Sequence, residues 1–401
     1  MSRFCIDSSV LGTKRHFISD DGFRWSDSVP RDTWHMTGTP KDSPAARCLD
    51  TLFALIGYAP AQVPKKYITA MNCLVSGSHE ALQWQHILPA EAFQEYFKNI
   101  IQDTSSIFPN LPIAYYDAAW TAGSRVLAAL KPAKIDLARW QELSSDQSQN
   151  QQAIESFRPG RTGYARPAEY DRFGTRTGRM TTPSGPQILT MKKSNKNMIK
   201  SAFTDGIICT LDYRALEARI VLSEAGKSSD SEDMYAEIAR DLFDGKVERD
   251  IVKTAVISEL YGISRGALAI RLQVPGDVLD KFITVVRSHF GILALKSRLK
   301  AELKENGFIK NRFGRPLRLE ETQDNLLVNT YSQSSGVDIA MLGFDTILQE
   351  LGTDGIRPLF VLHDAIILDV RGDRITDVQG CTSVSVPTYE HKFPLKYDQI
   401  V

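Results

Sequence analysis

No stretch of the sequence approaches the roughly 20 uninterrupted apolar residues of a membrane-spanning helix. The opening run Met1-Ser2-Arg3-Phe4-Cys5-Ile6-Asp7 lacks the apolar core of a secretory signal. Cysteine is scarce: Cys5, Cys48, Cys73, Cys209 and Cys381 are odd in number, and none falls at a paired metal-ligand spacing. The seven histidines are scattered and form no zinc cluster. An excess of charge is missing too, because 48 Lys and Arg balance 48 Asp and Glu. These absences exclude a membrane-spanning helical protein, a disulfide-stapled secreted domain and a zinc-finger module. They lead us to expect a soluble, reduced, cytoplasmic chain.

What is present fills a large core. A chain of 401 residues with 42% hydrophobic content is expected to hold more than one domain or subdomain. Although net charge is zero, the basic residues cluster. Lys192, Lys193, Lys196 and Lys200 form one run, and Lys296, Arg298, Lys300, Lys304, Lys310, Arg312, Arg315 and Arg318 form a second. Such runs are suited to phosphates, with acids such as Asp230, Glu232 and Asp233 expected to face water.

Two carboxylates stand out. Asp212 lies near the end of the apolar run Ile207-Ile208-Cys209-Thr210-Leu211-Asp212-Tyr213, and Asp364 closes Pro358-Leu359-Phe360-Val361-Leu362-His363-Asp364. Both runs read as buried strands. Two acids brought together on adjacent strands can hold a pair of magnesium ions. Between them, Arg249, Lys253, Ile257 and Tyr261 recur at intervals of four on an expected helix. Each turns only about 40° from the last, giving a stripe roughly 18 Å long, about the length of a nucleoside triphosphate. Arg249 would meet the terminal phosphate, Lys253 the reacting phosphorus, Ile257 the sugar and base, and Tyr261 the template side. Gly262 is placed to end the stripe where the chain turns.

With these residues in place, the chain resembles the family A DNA polymerases of bacterial polymerase I and phage replicative type. Motif A appears as Asp212-Tyr213-Arg214-Ala215-Leu216-Glu217-Ala218-Arg219. Motif B runs from Arg249-Asp250-Ile251-Val252-Lys253 through Leu260-Tyr261-Gly262, and motif C is His363-Asp364-Ala365. Thr177-Gly178-Arg179, Gly307-Phe308 with Phe313-Gly314-Arg315, and Asn329 with Gln333 follow the family's order. Together they cover roughly residues 155 to 401, and several short motifs in order are far more specific than any one.

The resemblance implies an α+β right-hand polymerase, with an antiparallel-sheet palm and helical fingers and thumb. The implied division is an N-terminal segment of unassigned role over 1–75, thumb over 76–164, palm over 165–228 and 326–401, and fingers over 229–325. Helices are expected over His79 to Gln102, Tyr116 to Leu130 and Ile135 to Phe157, with a polar Gln-rich patch from Ser144 to Gln152. The implied function is template-directed extension of a primer 3′ end with dNTPs. Asp212, Asp364 and the Tyr213 carbonyl would hold two Mg²⁺, for which Mn²⁺ can substitute. Lys253 would act on the leaving oxygen. Arg179, Asn329, Gln333 and His363 would contact primer-template DNA, the first three through minor-groove acceptors common to correct base pairs. Glu217 would close the pocket against a ribose 2′-hydroxyl.

Three positions depart from the family pattern: Ile257 where an aromatic is expected, Ala365 where an acid is expected, and Tyr235 where a phosphate-binding His is expected. Proofreading is expected to be absent, because Cys5-Ile6-Asp7-Ser8-Ser9 lacks the Glu of an Asp-x-Glu site and about 75 residues are too few for that domain. A monomer is expected, and no processivity partner is identifiable. Two alternatives stay open. A ribonucleotide-using single-subunit polymerase is disfavoured by Glu217, and a non-catalytic DNA-binding derivative by the intact Asp212, Asp364, Lys253 and Arg249.

Overall fold

Strand Ile207–Tyr213 places Ile208, Cys209, Leu211 and Tyr213 in the interior and leaves Asp212 half-buried near its end. It is the middle strand of a five-stranded antiparallel sheet in the computed structural model, which describes residues 3–20, 22–74, 84–146, 150–229, 231–319 and 325–400. On one side lies Ala365–Val370, itself paired with Ile356–Leu362. On the other lies Phe393–Gln399, followed by Ser383–Val384 at the edge. The Ile356–Leu362 and Ala365–Val370 strands form the expected hairpin. Ala365–Val370 is buried along its whole length, and each such aliphatic side chain contributes about 1.5–3 kcal/mol when withdrawn from water.

The chain divides into two compact units, Met1–Asp117 and Ala118–Val401. The second holds the sheet. Its 25-residue helix Leu327–Leu351 packs against the motif A strand, where Tyr213 Oη donates to the Ile339 carbonyl at 3.3 Å. A Cβ at Gly343 of that helix would collide with the same hydroxyl, so the close approach needs glycine. Between Ile207–Tyr213 and this helix come Met234–Phe243, Arg249–Leu260, Arg265–Leu272, Gly276–His289 and Ile292–Asn306, the helical region expected there.

Other expectations need revision. The helix expected over His79 to Gln102 is Trp84–Ile87 followed by Ala90–Ile107, separated at Leu88 and Pro89. Its first residues, His79 to Leu82 and Gln83, lie outside the described residues. Ala90–Ile107 runs five residues further than expected, because the inward stripe Phe93, Tyr96, Ile100 and Thr104 continues past Gln102. The helix expected over Ile135 to Phe157 is two. Asp136 caps Leu137–Ser145 by accepting from Arg139 N at 3.2 Å, and Asn150 caps Gln151–Glu155 by accepting from Ala153 N at 3.2 Å. Part of the Gln-rich patch, 147–149, lies outside the described residues.

The first unit carries a four-stranded sheet not foreseen from the sequence, in the order Gly22–Ser26, His16–Asp20, Arg3–Ile6, Thr33–Met36. The first three are antiparallel, and Thr33–Met36 runs parallel to Arg3–Ile6. Cys5, Ile6, Trp34 and Phe53 lie in its interior. All five cysteines are free. Among the described residues, no helix is long and apolar enough to cross a membrane.

Candidate active site

Antiparallel pairing brings the two acids together. Asp212 is in register with Ala365, and Tyr213 N donates to the Asp364 carbonyl at 3.0 Å. His363 and Asp364 form the two-residue turn between Leu362 and Ala365, and His363 takes φ +52°. A positive φ at the first turn residue matches the right-handed twist of a tight hairpin. Beyond Tyr213 the backbone reverses at Ala215, φ +52°, and starts helix Leu216–Glu224 with Glu217 in its first turn.

These turns open a cleft of about 530 Å³ lined by Arg179, Asp212, Tyr213, Glu217, Tyr235, Arg249, Lys253, Ile257, Tyr261 and Asp364. Ten of the residues singled out from the sequence therefore share one cavity. Helix Arg249–Leu260 contributes Arg249, Lys253 and Ile257 as a stripe, with the buried Leu260 also in the cleft wall and Val252, Ala255 and Val256 buried alongside. Tyr261 follows as its last-turn residue. Gly262 takes φ +68°, and a Cβ there would strike the Asn325 carbonyl, so the chain turns where expected.

The electrostatics of the acids fit a cation site. Burial and then the Asp364 charge push the Asp212 carboxyl up to about 6, and burial raises Asp364 as well. The half-buried Asp212 and Asp364 at the exposed hairpin tip resist ionising side by side, and a divalent ion that both can ligate relieves them. Among the described residues no group of three or more His, Cys, Asp and Glu is arranged for a metal, and the carboxylates the cleft sets beside each other are Asp212 and Asp364. That donor set suits a hard ion such as Mg²⁺ better than zinc.

Glu217 is fixed from two directions. Arg179 Nη2 lies 2.5 Å from Glu217 Oε1, and the Tyr261 hydroxyl is hydrogen-bonded to the same carboxylate. Burial nevertheless raises its pKa, with Arg179 opposing. Arg179 is presented by Gly178, at φ +79°, where a Cβ would collide with the buried Arg315 guanidinium. Thr177-Gly178-Arg179 and Phe313-Gly314-Arg315 thus support one another.

Arg249 is doubly held, with Nε 2.9 Å from Asp233 and Nη1 2.7 Å from Asp250, and its guanidinium sits 5.6 Å from the centre of the Tyr235 ring. The expectation that Asp233 simply faces water is corrected: it caps Met234–Phe243 and pairs with Arg249. Although burial opposes it, the Arg249 contact lowers the Asp233 pKa. Glu232 lines the cleft, and Asp230 lies outside the described residues. Tyr235 is buried, so its ring supports Arg249.

Asn329, Gln333 and His363 do not line the cleft. Asn329 and Gln333 share a half-buried face of helix Leu327–Leu351, one turn apart. Asn329 Oδ1 and His363 Nδ1 are buried without hydrogen-bond partners among the described residues, and burial followed by the Arg179 charge lowers the His363 pKa. Buried polar atoms left open in this way call for a ligand or water. Lys396, Arg214, Glu232 and Asp233 also line the cleft and were not singled out as site residues from the sequence. Alternation along Phe393–Gln399 would have put Lys396 beside polar neighbours, but only the strand register sets it against Asp212.

Comparison with known proteins places this geometry. The model of DNA polymerase family A matches residues 111–399. DNA polymerase I of Pseudomonas aeruginosa is 26% identical over 250 residues, covering 53% of this chain and 27% of that protein. The DNA polymerase of Mycobacterium phage D29 is 24% identical over 185 residues, covering 42% of this chain and 29% of the phage protein. The chain thus spans well under half the length of these curated relatives. The solved POL domain of Pol1 from M. smegmatis, in complex with DNA primer-template and dNTP, superposes with a TM-score of 0.60 at 14% identity, over 99% of this chain and 94% of that one. It shares the α+β fold. Since the family match takes in the sheet, both acids and the basic helix, the chain belongs to DNA polymerase family A.

Proposed function

We propose that the chain is a DNA-directed DNA polymerase that extends a primer 3′ end with deoxynucleoside triphosphates. The observation that carries this reading is the single cleft in which the Asp212 and Asp364 side chains meet the Arg249–Lys253–Ile257–Tyr261 stripe. By this reading 165–228 and 326–401 act as palm, 229–325 as fingers and 76–164 as thumb, while 1–75 keeps no assigned role.

Asp212, Asp364 and the Tyr213 carbonyl would hold two divalent ions, Mg²⁺ with Mn²⁺ as a substitute, which activate the primer hydroxyl and screen the triphosphate when bound. Arg249 neutralises the terminal phosphate, and Lys253 stabilises or protonates the departing oxygen. Glu217, braced by Arg179 and Tyr261, fills the space beside the sugar 2′ carbon and excludes a hydroxyl. Asn329, Gln333 and Arg179 read minor-groove acceptors of the new pair, and His363 contacts DNA at the hairpin tip. Asn329 Oδ1 and His363 Nδ1, both without partners among the described residues, are suited to such contacts.

The reading includes no proofreading. Asp7, the best acid for a second metal site, is 3.0 Å from His16 Nδ1 and 3.4 Å from His35 Nδ1, so its oxygens face imidazoles where an exonuclease would gather further acids.

Primer extension with separate deoxy- and ribonucleotide pools tests the whole assignment. Extension by the deoxy pool with Mg²⁺ is expected, and 3′ mismatches should be left untrimmed. Efficient extension by the ribonucleotide pool would point to a single-subunit RNA polymerase. Duplex binding with no extension from either pool would point to an accessory protein.

A further inference from the structure

Five cationic and five acidic side chains line the cleft. Arg179 is committed to Glu217, and Arg249 to Asp233 and Asp250. Tyr235, at the position where a phosphate-binding His was expected, is buried against Arg249. On the helix side, Lys253 is then the one cleft-lining cation without a carboxylate partner among the described residues. A triphosphate carries about four negative charges, and one unpaired lysine meets them poorly.

The sheet side supplies two more cations. Lys396 is in register with Asp212 across the Phe393–Gln399 pairing, so the two side chains share a face and their Cβ atoms lie about 5 Å apart. Arg214 follows two residues after Asp212. Its backbone N donates to Pro394 O at 3.0 Å and its Nε to Leu395 O at 3.4 Å, which ties it to the same strand. Both lie in the cleft wall. Their internal partners are an exposed and a half-exposed carboxylate: Arg214 Nη2 is 3.5 Å from Glu232, itself 81% exposed, and Lys396 Nζ is 2.6 Å from Asp398, which is 32% exposed. Asp398 also has Lys193 at 3.9 Å. Exposed pairs of this kind are worth 0–1 kcal/mol. An incoming phosphate can displace them at little cost.

We propose that Lys396 and Arg214 form a sheet-side subsite for the polyphosphate of the incoming nucleotide, complementing Arg249 and Lys253 from the helix. This rests on the polymerase reading for the identity of the nucleotide, but its binding test needs no turnover. With Arg249 and Lys253 the subsite brings four cations from two walls of the cleft to a triphosphate of about four negative charges.

The test is calorimetric titration of the full chain with dATP and Mg²⁺ in the absence of DNA, alongside binding of a labelled primer-template duplex. Lys396→Ala and Arg214→Ala are each expected to weaken dATP binding by roughly tenfold, the order for one charge-assisted contact. Duplex affinity should stay within about twofold, and Lys396→Arg should restore most of the loss. In extension assays the same variants should raise KM for dNTP more than they lower kcat. Unchanged dATP affinity in both alanine variants, with folding verified by circular dichroism, overturns the subsite. So does a loss of duplex affinity with dATP binding intact, which assigns the pair to DNA phosphates. If the wild type binds dATP through these residues yet extends no primer, the subsite stands and the polymerase reading fails.

Discussion

Arg179 Nη2 meets Glu217 Oε1 at 2.5 Å, and this ion pair joins the Thr177-Gly178-Arg179 segment to the first turn of the helix after motif A. Tyr261, from the end of the basic helix, completes the arrangement through its hydroxyl. The carboxylate is therefore held in one place by groups from two other parts of the chain, as a steric filter would require. Glu217→Ala is expected to raise ribonucleotide incorporation by roughly tenfold or more, about 1.4 kcal/mol of lost discrimination. Glu217→Gln keeps the bulk and loses the charge, so its ribonucleotide preference should stay close to wild type. Competition between dATP and ATP on one template measures both. Equal ribonucleotide use by wild type and the alanine variant would remove the filter from Glu217.

Asp212→Ala and Asp364→Ala should each abolish extension while leaving primer-template affinity nearly unchanged, because on the proposed reading each removes a metal ligand and few contacts to DNA. The expected loss is several kcal/mol of transition-state stabilisation. Single-turnover rates with folded variants decide it, and substantial extension by either one refutes the two-carboxylate assignment.

Asp212 also makes a pH prediction. Burial and the Asp364 charge raise its carboxyl to about 6 from an ordinary value of 3.8. The folded state therefore holds the proton more tightly than the unfolded chain. The stability tied to the protonated form is fully present below about 3.8 and is lost as pH rises to about 6. Asp212→Asn, which mimics that form, should therefore raise Tm of the metal-free protein at pH 8. The advantage should shrink between pH 6 and 4 and disappear below. Mg²⁺ should raise Tm of the wild type above pH 6 and have a much smaller effect on the variant. A Tm difference that does not change with pH would show that Asp212 ionises freely in the fold.

Much of the site was legible in the sequence because its signals are local. Asp212 and Asp364 end short apolar runs, and Arg249, Lys253, Ile257 and Tyr261 share one stripe of a single helix, so spacing alone groups them. Lys396 was not legible. Its position beside Asp212 depends on pairing between strands nearly two hundred residues apart, and a one-residue slip would turn it to the other face. Arg214 was quoted within motif A, but its tie to the C-terminal strand depends on the same pairing. The sheet of the first unit was hidden for another reason. Its strands are only four or five residues long, and Gly22–Ser26 is exposed or half-exposed throughout, so no alternation marks it. The break at Asp136 and Asn150 went unread because two good caps lie inside an otherwise helical composition.

Gly262 tests how the basic helix is terminated. At φ +68°, with the Asn325 carbonyl where a Cβ would sit, Gly262→Ala must either adopt a left-handed backbone with a clash or shift the chain after Tyr261. A cost of about 2–3 kcal/mol in urea unfolding is expected. Extension should fall as well, since Tyr261 would move off Glu217. A neutral substitution would mean that the turn is more plastic than its geometry implies.

On the proposed reading, Ile257 is the departure that would lie closest to the sugar. It lies half-buried in the cleft between Lys253 and Tyr261 on the stripe and brings neither a ring nor a hydroxyl. A nucleotide that lacks its 3′-hydroxyl loses a polar contact, and an aliphatic side chain provides nothing to replace it. The wild type is therefore expected to reject dideoxynucleotides. Ile257→Tyr places a phenol where that hydroxyl would lie, and it should relax the rejection by roughly tenfold or more, about 1.4 kcal/mol. Extension with ordinary dNTPs should persist, because the residue faces the open cleft and its replacement displaces no buried neighbour. Competition of ddTTP against dTTP on a single primer-template gives the ratio directly. Should Ile257→Tyr leave that ratio unchanged while Glu217→Ala alters the ribonucleotide ratio, then the 2′ and 3′ positions are read by different walls of the cleft, and Ile257 is a packing residue of the helix stripe.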